Sequence, residues 1–186
     1  MVEKNSDSGS VVTLPMSEQD GISFEMIELL FFAYRDFVAD PDSMLAQYSY
    51  GRAHHRVLHF VNRTPGIPVA TLLEILKITK QSLARVLKQL IEDGYITQQT
   101  GEQDRRQRLL YPTEKGRALA LEISRCQARR IEDALQTLPE STRQASKAFL
   151  YAMIEPQDRP MVRHLNKGLA ALNNADSDAD VIRISK

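Results

Sequence analysis

Apolar residues recur at helical spacing along most of the chain. The first run, from Ser23 to Phe37, carries Met26, Ile27, Leu29, Leu30, Phe31, Phe32, Ala33 and Phe37, and only Glu28 interrupts it before Tyr34. A helix apolar on nearly every side is covered on more than one side. The pattern therefore predicts a helix over 23–39 that also packs against a partner chain. Asp40-Pro41-Asp42 is expected to stop it, because proline disfavours helix at the residue before it. A second helix is expected from Ser43 or Tyr48 to about Asn62, with Leu45, Tyr48, Val57, Leu58 and Val61 on its apolar face. Thr64-Pro65-Gly66-Ile67-Pro68 reads as a turn. Pro68 suits the first turn of a short third helix, Val69 to Leu76.

The next stretch is the most informative. Leu83, Val86, Leu87, Leu90 and Ile91 fall at i, i+3, i+4, i+7 and i+8, one face of an α-helix. Thr79 is placed to cap its start and Gly94 to close its end in a left-handed conformation. The predicted helix, 80–93, exposes Lys80, Gln81, Ser82, Arg85, Lys88 and Gln89, with no acidic residue until Glu92. Tyr95 to Gln99 reads as a strand and Leu109-Leu110-Tyr111 as its return. The polar tip between them holds Gly101, Asp104, Arg105 and Arg106, and Arg108 follows. Thr113 then caps a long helix through Leu119, Ile123, Cys126, Ile131 and Leu138, with Glu114 beside its positive end. A further helix covers Ala145 to Met153, and Met161, Val162, Leu165 and Leu169 form one more short helix. Residues 1–22 read as a flexible tail and 172–186 as a frayed end.

Composition narrows the class. With 186 residues, 42% hydrophobic and 26% charged, the chain is an ordinary single domain, or one with an appendage. One cysteine excludes a disulfide framework and a Cys-rich zinc site. No window approaches ~18 uninterrupted apolar residues, so no membrane span is expected. The polar, acidic start is not a secretion signal, and the expected compartment is the cytoplasm. The net charge of zero hides a segregation: residues 1–46 hold 2 basic and 9 acidic side chains, whereas residues 47–117 hold 12 and 6. A basic middle third favours a polyanionic partner.

Short helix, tight turn, capped basic helix and two-stranded hairpin with an arginine-rich tip, in that order, make a winged helix-turn-helix. The expected fold is mainly α, with a two-stranded β-hairpin wing and dimerisation helices at both ends. An α-helix fits the major groove of DNA and reads bases from its N-terminal residues. Gln81 suits adenine and Arg85 guanine. Ser82 reaches a base or a phosphate, and Lys80 and Lys88 suit phosphates. The tip arginines, Arg105, Arg106 and Arg108, suit a narrow minor groove. Half-sites ~34 Å apart are best read by a two-fold dimer.

Ser82 to Ile96, followed by Asp104-Arg105-Arg106 and Pro112-Thr113-Glu114-Lys115-Gly116-Arg117, resembles the recognition helix, wing and following helix of the MarR family. Within it the likeness is to a PetP-like subgroup. The resemblance covers about residues 24–155. It implies a domain over 23–155, with a winged helix over 48–112, dimerisation helices over 23–39 and 113–155, and a C-terminal extension, partly disordered, over 156–186. It also implies that Arg106 enters the minor groove and that Asp104 holds the wing by pairing with Arg105 or Arg108. Two places depart from the family pattern. Lys77 stands where glycine is common in the turn, at a cost of ~1–2 kcal/mol if left-handed, so a differently shaped turn is expected. The opening Tyr50-Gly51-Arg52-Ala53-His54-His55 is also unlike the family's usual one.

Candidate signal sites are three. Tyr34, Phe37, Tyr48 and Tyr50 form a candidate effector crevice for an unidentified small molecule, or are core and interface aromatics. Cys126, with Arg129 and Arg130 at i+3 and i+4, is either a redox thiol or inert core. His55 and His59, at i and i+4, form half of a metal site, or contact phosphate or cap a helix; no metal and no cofactor is expected. The competing functions are a protein–protein interaction module and an enzyme. No phosphate-binding glycine loop, HExxH or recognisable nucleophile motif supports the latter.

Overall fold

A computed structural model describes residue 16 and residues 21–166 of the chain. The expected tail lies almost wholly outside the described residues, and the frayed end, 172–186, wholly so. The chain divides into two compact units, Met1–Asp36 and Phe37–Lys186. The elements run α1 (Phe24–Ala46), α2 (Arg52–Arg63), β1 (Ile67–Pro68), α3 (Val69–Leu76), α4 (Lys80–Glu92), β2 (Ile96–Thr100), β3 (Arg108–Pro112), α5 (Glu114–Gln136), α6 (Ser141–Ala152), a 3₁₀ turn (Pro156–Asp158) and α7 (Arg159–Leu165).

In the first unit, α1 exposes Met26, Ile27, Leu29, Leu30, Phe31, Phe32 and Tyr34, with Phe31 63% exposed. Phe31 and Phe32 meet edge to face at 5.3 Å, and the Arg35 guanidinium lies 4.7 Å from the Phe32 ring centre.

The helix does not end at Asp40 as its proline predicted. Pro41 lies inside α1, which continues to Ala46, and the second helix begins only at Arg52. A proline there leaves the Phe37 carbonyl without its helical donor. Val38, Pro41 and Leu45 are all buried on one side of this last stretch, and that packing overrides the local preference. The chain then turns through Ser49, which has φ 58°, to reach Gly51 at the start of α2.

One core holds the second unit together. Leu45 of α1, Val57, Leu58 and Val61 of α2, Leu72 and Leu76 of α3, and Leu83, Leu87 and Leu90 of α4 meet Ile67, Ile96 and Leu110 of the sheet and Leu119 and Ile123 of α5. The periodic positions singled out in α4 are thus its buried face, with Ile91 half-buried.

The two-stranded hairpin forms as expected and a third strand joins it, in the order β1-β3-β2. The turn cluster supplies the extra one: Ile67 pairs with Leu110 and Pro68 with Leu109. Gly66 opens this strand at φ +86°, donating to the Leu110 carbonyl at 2.8 Å. Proline tolerates such a place because β1 is an edge strand. The hairpin pairs Ile96 with Pro112 through to Thr100 with Arg108.

Lys77 corrects a second expectation. The turn between α3 and α4 keeps the left-handed conformation, φ 50° and ψ 43°, with lysine in it. Its Nζ pairs with Asp158, ahead of α7, and Arg63 donates to the Leu165 carbonyl at 3.1 Å. Helix α7 is thereby laid across the helix-turn-helix.

Candidate nucleic-acid interface

Both ends of α4 are closed by the residues expected to close them. The Thr79 hydroxyl accepts from the Ser82 amide at 3.1 Å and donates to Ser82 Oγ at 2.9 Å. At the other end Gly94 adopts φ +74° and the Tyr95 amide donates to the Leu90 carbonyl at 2.8 Å. The four buried leucine and valine positions fix the rotation of the helix. Lys80, Gln81, Ser82, Arg85 and Lys88 are therefore exposed.

The structure sorts these side chains. Lys80, Ala84 and Lys88 line a groove of about 540 Å³ between α3, α4 and the sheet, and Gln98 and Arg108 line its far wall. Gln81, Ser82 and Arg85 lie off that groove. Among the described residues Gln81, Arg85, Arg105 and Arg106 have no side-chain partner. Lys88 lies 3.8 Å from Glu92 and Arg108 donates to Thr100 Oγ1 at 2.7 Å. Ser82 is engaged in the cap.

The wing tip is held otherwise than the resemblance implied. Asp104 makes no ion pair with Arg105 or Arg108; its Oδ1 accepts the backbone amide of Arg106 at 2.9 Å. This is a side-chain turn closed on the residue two places ahead, a geometry that suits a short carboxylate. The Gln107 amide donates to the Asp104 carbonyl and the Gly101 amide to the Gln107 carbonyl. Gly101 cannot be larger: a Cβ there would meet the Asp104 carbonyl oxygen at 2.8 Å. With the backbone closing the loop, the charged ends of Arg105 and Arg106 are left exposed.

The base of the wing is tied to α5. Thr113 Oγ1 accepts the Gly116 amide at 3.0 Å and donates to the Gly94 carbonyl at 2.7 Å, and its own amide donates to the Tyr95 carbonyl at 3.1 Å. Lys115 Nζ reaches the Asp93 carbonyl at 2.8 Å and lies 4.2 Å from the Tyr95 ring centre.

The candidate signal residues fare unevenly. Of the candidate crevice residues, Tyr34 falls in the first unit and Phe37, Tyr48 and Tyr50 in the second. Tyr34 lines a shallow apolar depression with Ile27, Leu30 and Phe31 in the first unit. In the second, Tyr48 and Tyr50 join Tyr95 at ring separations of 5.6 to 6.1 Å, without Phe37. Tyr50 is buried and donates to Asp93 Oδ2 at 2.6 Å. Burial, then the Asp93 carboxylate, hold its phenol well above the usual range. Cys126 is half-buried on α5, and one of its flanking cations, Arg130, is engaged with Asp40 at 2.7 Å. His55 and His59 are both half-buried between α2 and α5, and desolvation holds both imidazoles below their usual pKa. For His55 the Asp42 charge and a bond to Gln127 oppose that effect; for His59 the neighbouring His55 and Arg63 add to it. Among the described residues these histidines have no third metal-ligating partner.

What the sequence did not reveal is the contact surface behind α4. Tyr50, His54, Gln89, Asp93 and Lys115 are far apart in the chain and meet at the helix's C-terminal end. The only hint was that the opening of α2 departs from the family pattern.

Comparisons with known proteins agree with this architecture. The MarR family model matches residues 48–107, the stretch from the approach to α2 through the wing tip. The HTH-type transcriptional regulator PetP of Rhodobacter capsulatus is 47% identical over 133 residues, covering 72% of this chain and 80% of that protein. A MarR family regulator from Silicibacter pomeroyi superposes with a TM-score of 0.62 at 23% identity, over 72% of this chain and 92% of that one. Streptococcus pneumoniae FabT, solved in complex with DNA, superposes with a TM-score of 0.63 at 19% identity, over 70% and 94%. No helix among the described residues is long and apolar enough to cross a membrane. The sustained identity to a regulator and the placement of the family match on the helix-turn-helix and wing show that this chain belongs to the MarR family of DNA-binding transcriptional regulators, which are not enzymes.

Proposed function

We propose that this regulator binds a two-fold operator as a homodimer, with α4 in the major groove and the wing tip in the adjacent minor groove. The observation that carries this reading is the exposed face of α4. Gln81 and Arg85, near its start, have no partner among the described residues, and Arg105 and Arg106 stand uncommitted at the wing tip. Side chains poised in this way at a helix start suit base edges. Lys80, Lys88 and Arg108 around the neighbouring groove suit phosphates, and Ser82 is held in the cap by Thr79. FabT, which shares the fold, was solved bound to DNA.

The dimer is supported by apolar surface that a monomer would leave in water. In the first unit this is the α1 face from Met26 to Tyr34; in the second it includes Ile131, Leu138, Phe149, Leu150 and Met153. Exposed apolar area on this scale marks an interaction surface. We assign α1, α5 and α6 to dimerisation and residues 48–112 to DNA binding.

Selection from random duplex DNA at ~150 mM salt tests the reading, since lower salt would reward unspecific phosphate binding. A near-palindrome with half-sites about one helical turn apart supports it. Arg85→Ala should then cost ~1–3 kcal/mol and relax one base position, while Lys88→Ala should weaken all sequences alike and lower the salt slope by about one. Equal effects of the two on every sequence would remove base reading from Arg85. A salt-insensitive protein partner, with no enriched DNA, would instead make the fold an interaction module.

A further inference from the structure

The start of α2 holds side chains that the DNA-facing surface does not use. The Gly51 amide donates to His54 Nδ1 at 3.2 Å. A ring nitrogen that accepts carries no hydrogen, so the proton of the neutral imidazole sits on Nε2. His54 Nε2 lies 3.0 Å from Gln89 Oε1 and donates to it. The imidazole lies flat against the Tyr50 ring, with centroids 4.6 Å apart and planes 5° from parallel. Tyr50 itself, 5% exposed, donates to Asp93 Oδ2 at 2.6 Å.

Gln89, in the last turn of α4, and Asp93, the residue that caps it, are four residues apart and share one side. Two stacked rings from one short segment therefore hold two adjacent points at the C-terminal end of this helix. Gln81 and Arg85, the side chains assigned to base edges, lie nearer the other end. A helix of 13 residues is about 20 Å long. Tilting it by about 5° about its C-terminal end moves its first residues by roughly 1.7 Å, enough to break a bidentate base contact. The core leucines hold the helix against sliding away. Polar bonds of fixed length at one end restrict how it tilts.

We propose that His54 is a positioning residue for DNA reading: as the Nε2–H tautomer it ties the capped start of α2 to Gln89 and, with Tyr50, sets the axis of α4. The inference rests on α4 being the helix that reads DNA. It assigns a role to the Tyr50–His55 opening that distinguishes this chain from the commoner family pattern.

Two substitutions separate the ends of the imidazole. His54→Asn keeps an acceptor near the position of Nδ1 and cannot reach Gln89. His54→Gln keeps the reach to Gln89 and gives up the bond from Gly51. The experiment uses the full chain and compares affinity for the selected operator with that for a scrambled duplex at one salt concentration. His54→Asn and Gln89→Ala should each lose roughly five-fold in discrimination, the worth of one hydrogen bond. Unspecific binding and the salt slope should not move, because the phosphate contacts are intact. His54→Gln should stay within about two-fold of the parent chain. The double variant His54→Asn/Gln89→Ala should be no worse than either single one. Should His54→Asn not fold, Gln89→Ala carries the test from the other side of the same bond. Undiminished discrimination in His54→Asn and Gln89→Ala, a loss shared equally by unspecific binding, or a His54→Gln as impaired as His54→Asn would each overturn the proposal. Amide hydrogen exchange gives a readout that needs no DNA. The amides from Gln89 to Tyr95 should exchange faster in His54→Asn than in the parent chain or His54→Gln, and unchanged exchange would overturn the tie. If no operator is enriched, the DNA reading fails, and exchange alone still decides whether His54 holds α4.

Discussion

Replacing Gly116 with alanine sets two effects of known sign against each other. Gly116 stands in the first turn of α5, where alanine is intrinsically the better helix former by up to ~1 kcal/mol. A Cβ at this position would lie 1.9 Å from the Tyr95 carbonyl oxygen and 2.9 Å from its carbonyl carbon. Both are backbone atoms, so no rotamer change relieves the overlap. The start of α5 must move by more than ~1 Å from the base of the wing to restore ordinary contact. Three hydrogen bonds span that gap: Thr113 amide to Tyr95 carbonyl, Thr113 hydroxyl to Gly94 carbonyl, and Lys115 to Asp93 carbonyl. Overpacking of this kind costs about 1–3 kcal/mol, and each bond lost or stretched adds up to ~1 kcal/mol, less where water replaces it. Set against the propensity gain, Gly116→Ala should destabilise the chain by about 2–4 kcal/mol, lowering Tm by roughly 5–15 °C at this size. Urea and thermal unfolding followed by circular dichroism measure it. A variant as stable as the parent, or more stable, would show that helix propensity wins and that the close approach of α5 to Tyr95 is not required.

At Lys77 the same comparison runs the other way. Lys77→Gly relieves a left-handed lysine worth ~1–2 kcal/mol and gives up an exposed pair with Asp158 worth at most ~1 kcal/mol. The urea midpoint should therefore rise, and a fall would mean that the Asp158 contact outweighs the strain. Stability should also fall as pH drops below about 6.5. His55 and His59 take up protons at lower pH in the folded chain than in the unfolded one, so the unfolded state binds more protons in that window. Unfolding at pH 7.5 and 5.5 checks this, and the double variant His55→Gln/His59→Gln should show a flatter profile between them. An unchanged profile would place the pH dependence elsewhere.

Much of the DNA-facing half was written locally. Helix α4 was legible because its cap, its apolar rotation and its closing glycine all lie within 16 residues, Thr79 to Gly94. The wing was legible because a hairpin pairs neighbours across a short polar loop. Along such stretches backbone hydrogen bonds and side-chain contacts reach only a few residues, so the order of residue types carries nearly all the information.

Elsewhere the local signal pointed the wrong way or was silent. Pro41 predicted an end to α1 that burial of Val38, Pro41 and Leu45 overrode. Ile67-Pro68 read as a turn because the strand that makes it a strand, β3, comes some 40 residues later. Asp104 is followed by Arg105, Arg106 and Arg108, and only the folded loop shows that its carboxylate takes a backbone amide instead. Sequence by itself determined α4, its exposed chemistry and the order of elements that makes a winged helix-turn-helix. Tertiary structure alone decided which side chains hold that arrangement in place. Tyr50 and Asp93 are 43 positions apart, His54 and Gln89 35, and Asp40 and Arg130 90. A bond of about 3 Å between such residues depends on how every intervening element packs, and no spacing rule along the chain encodes that distance.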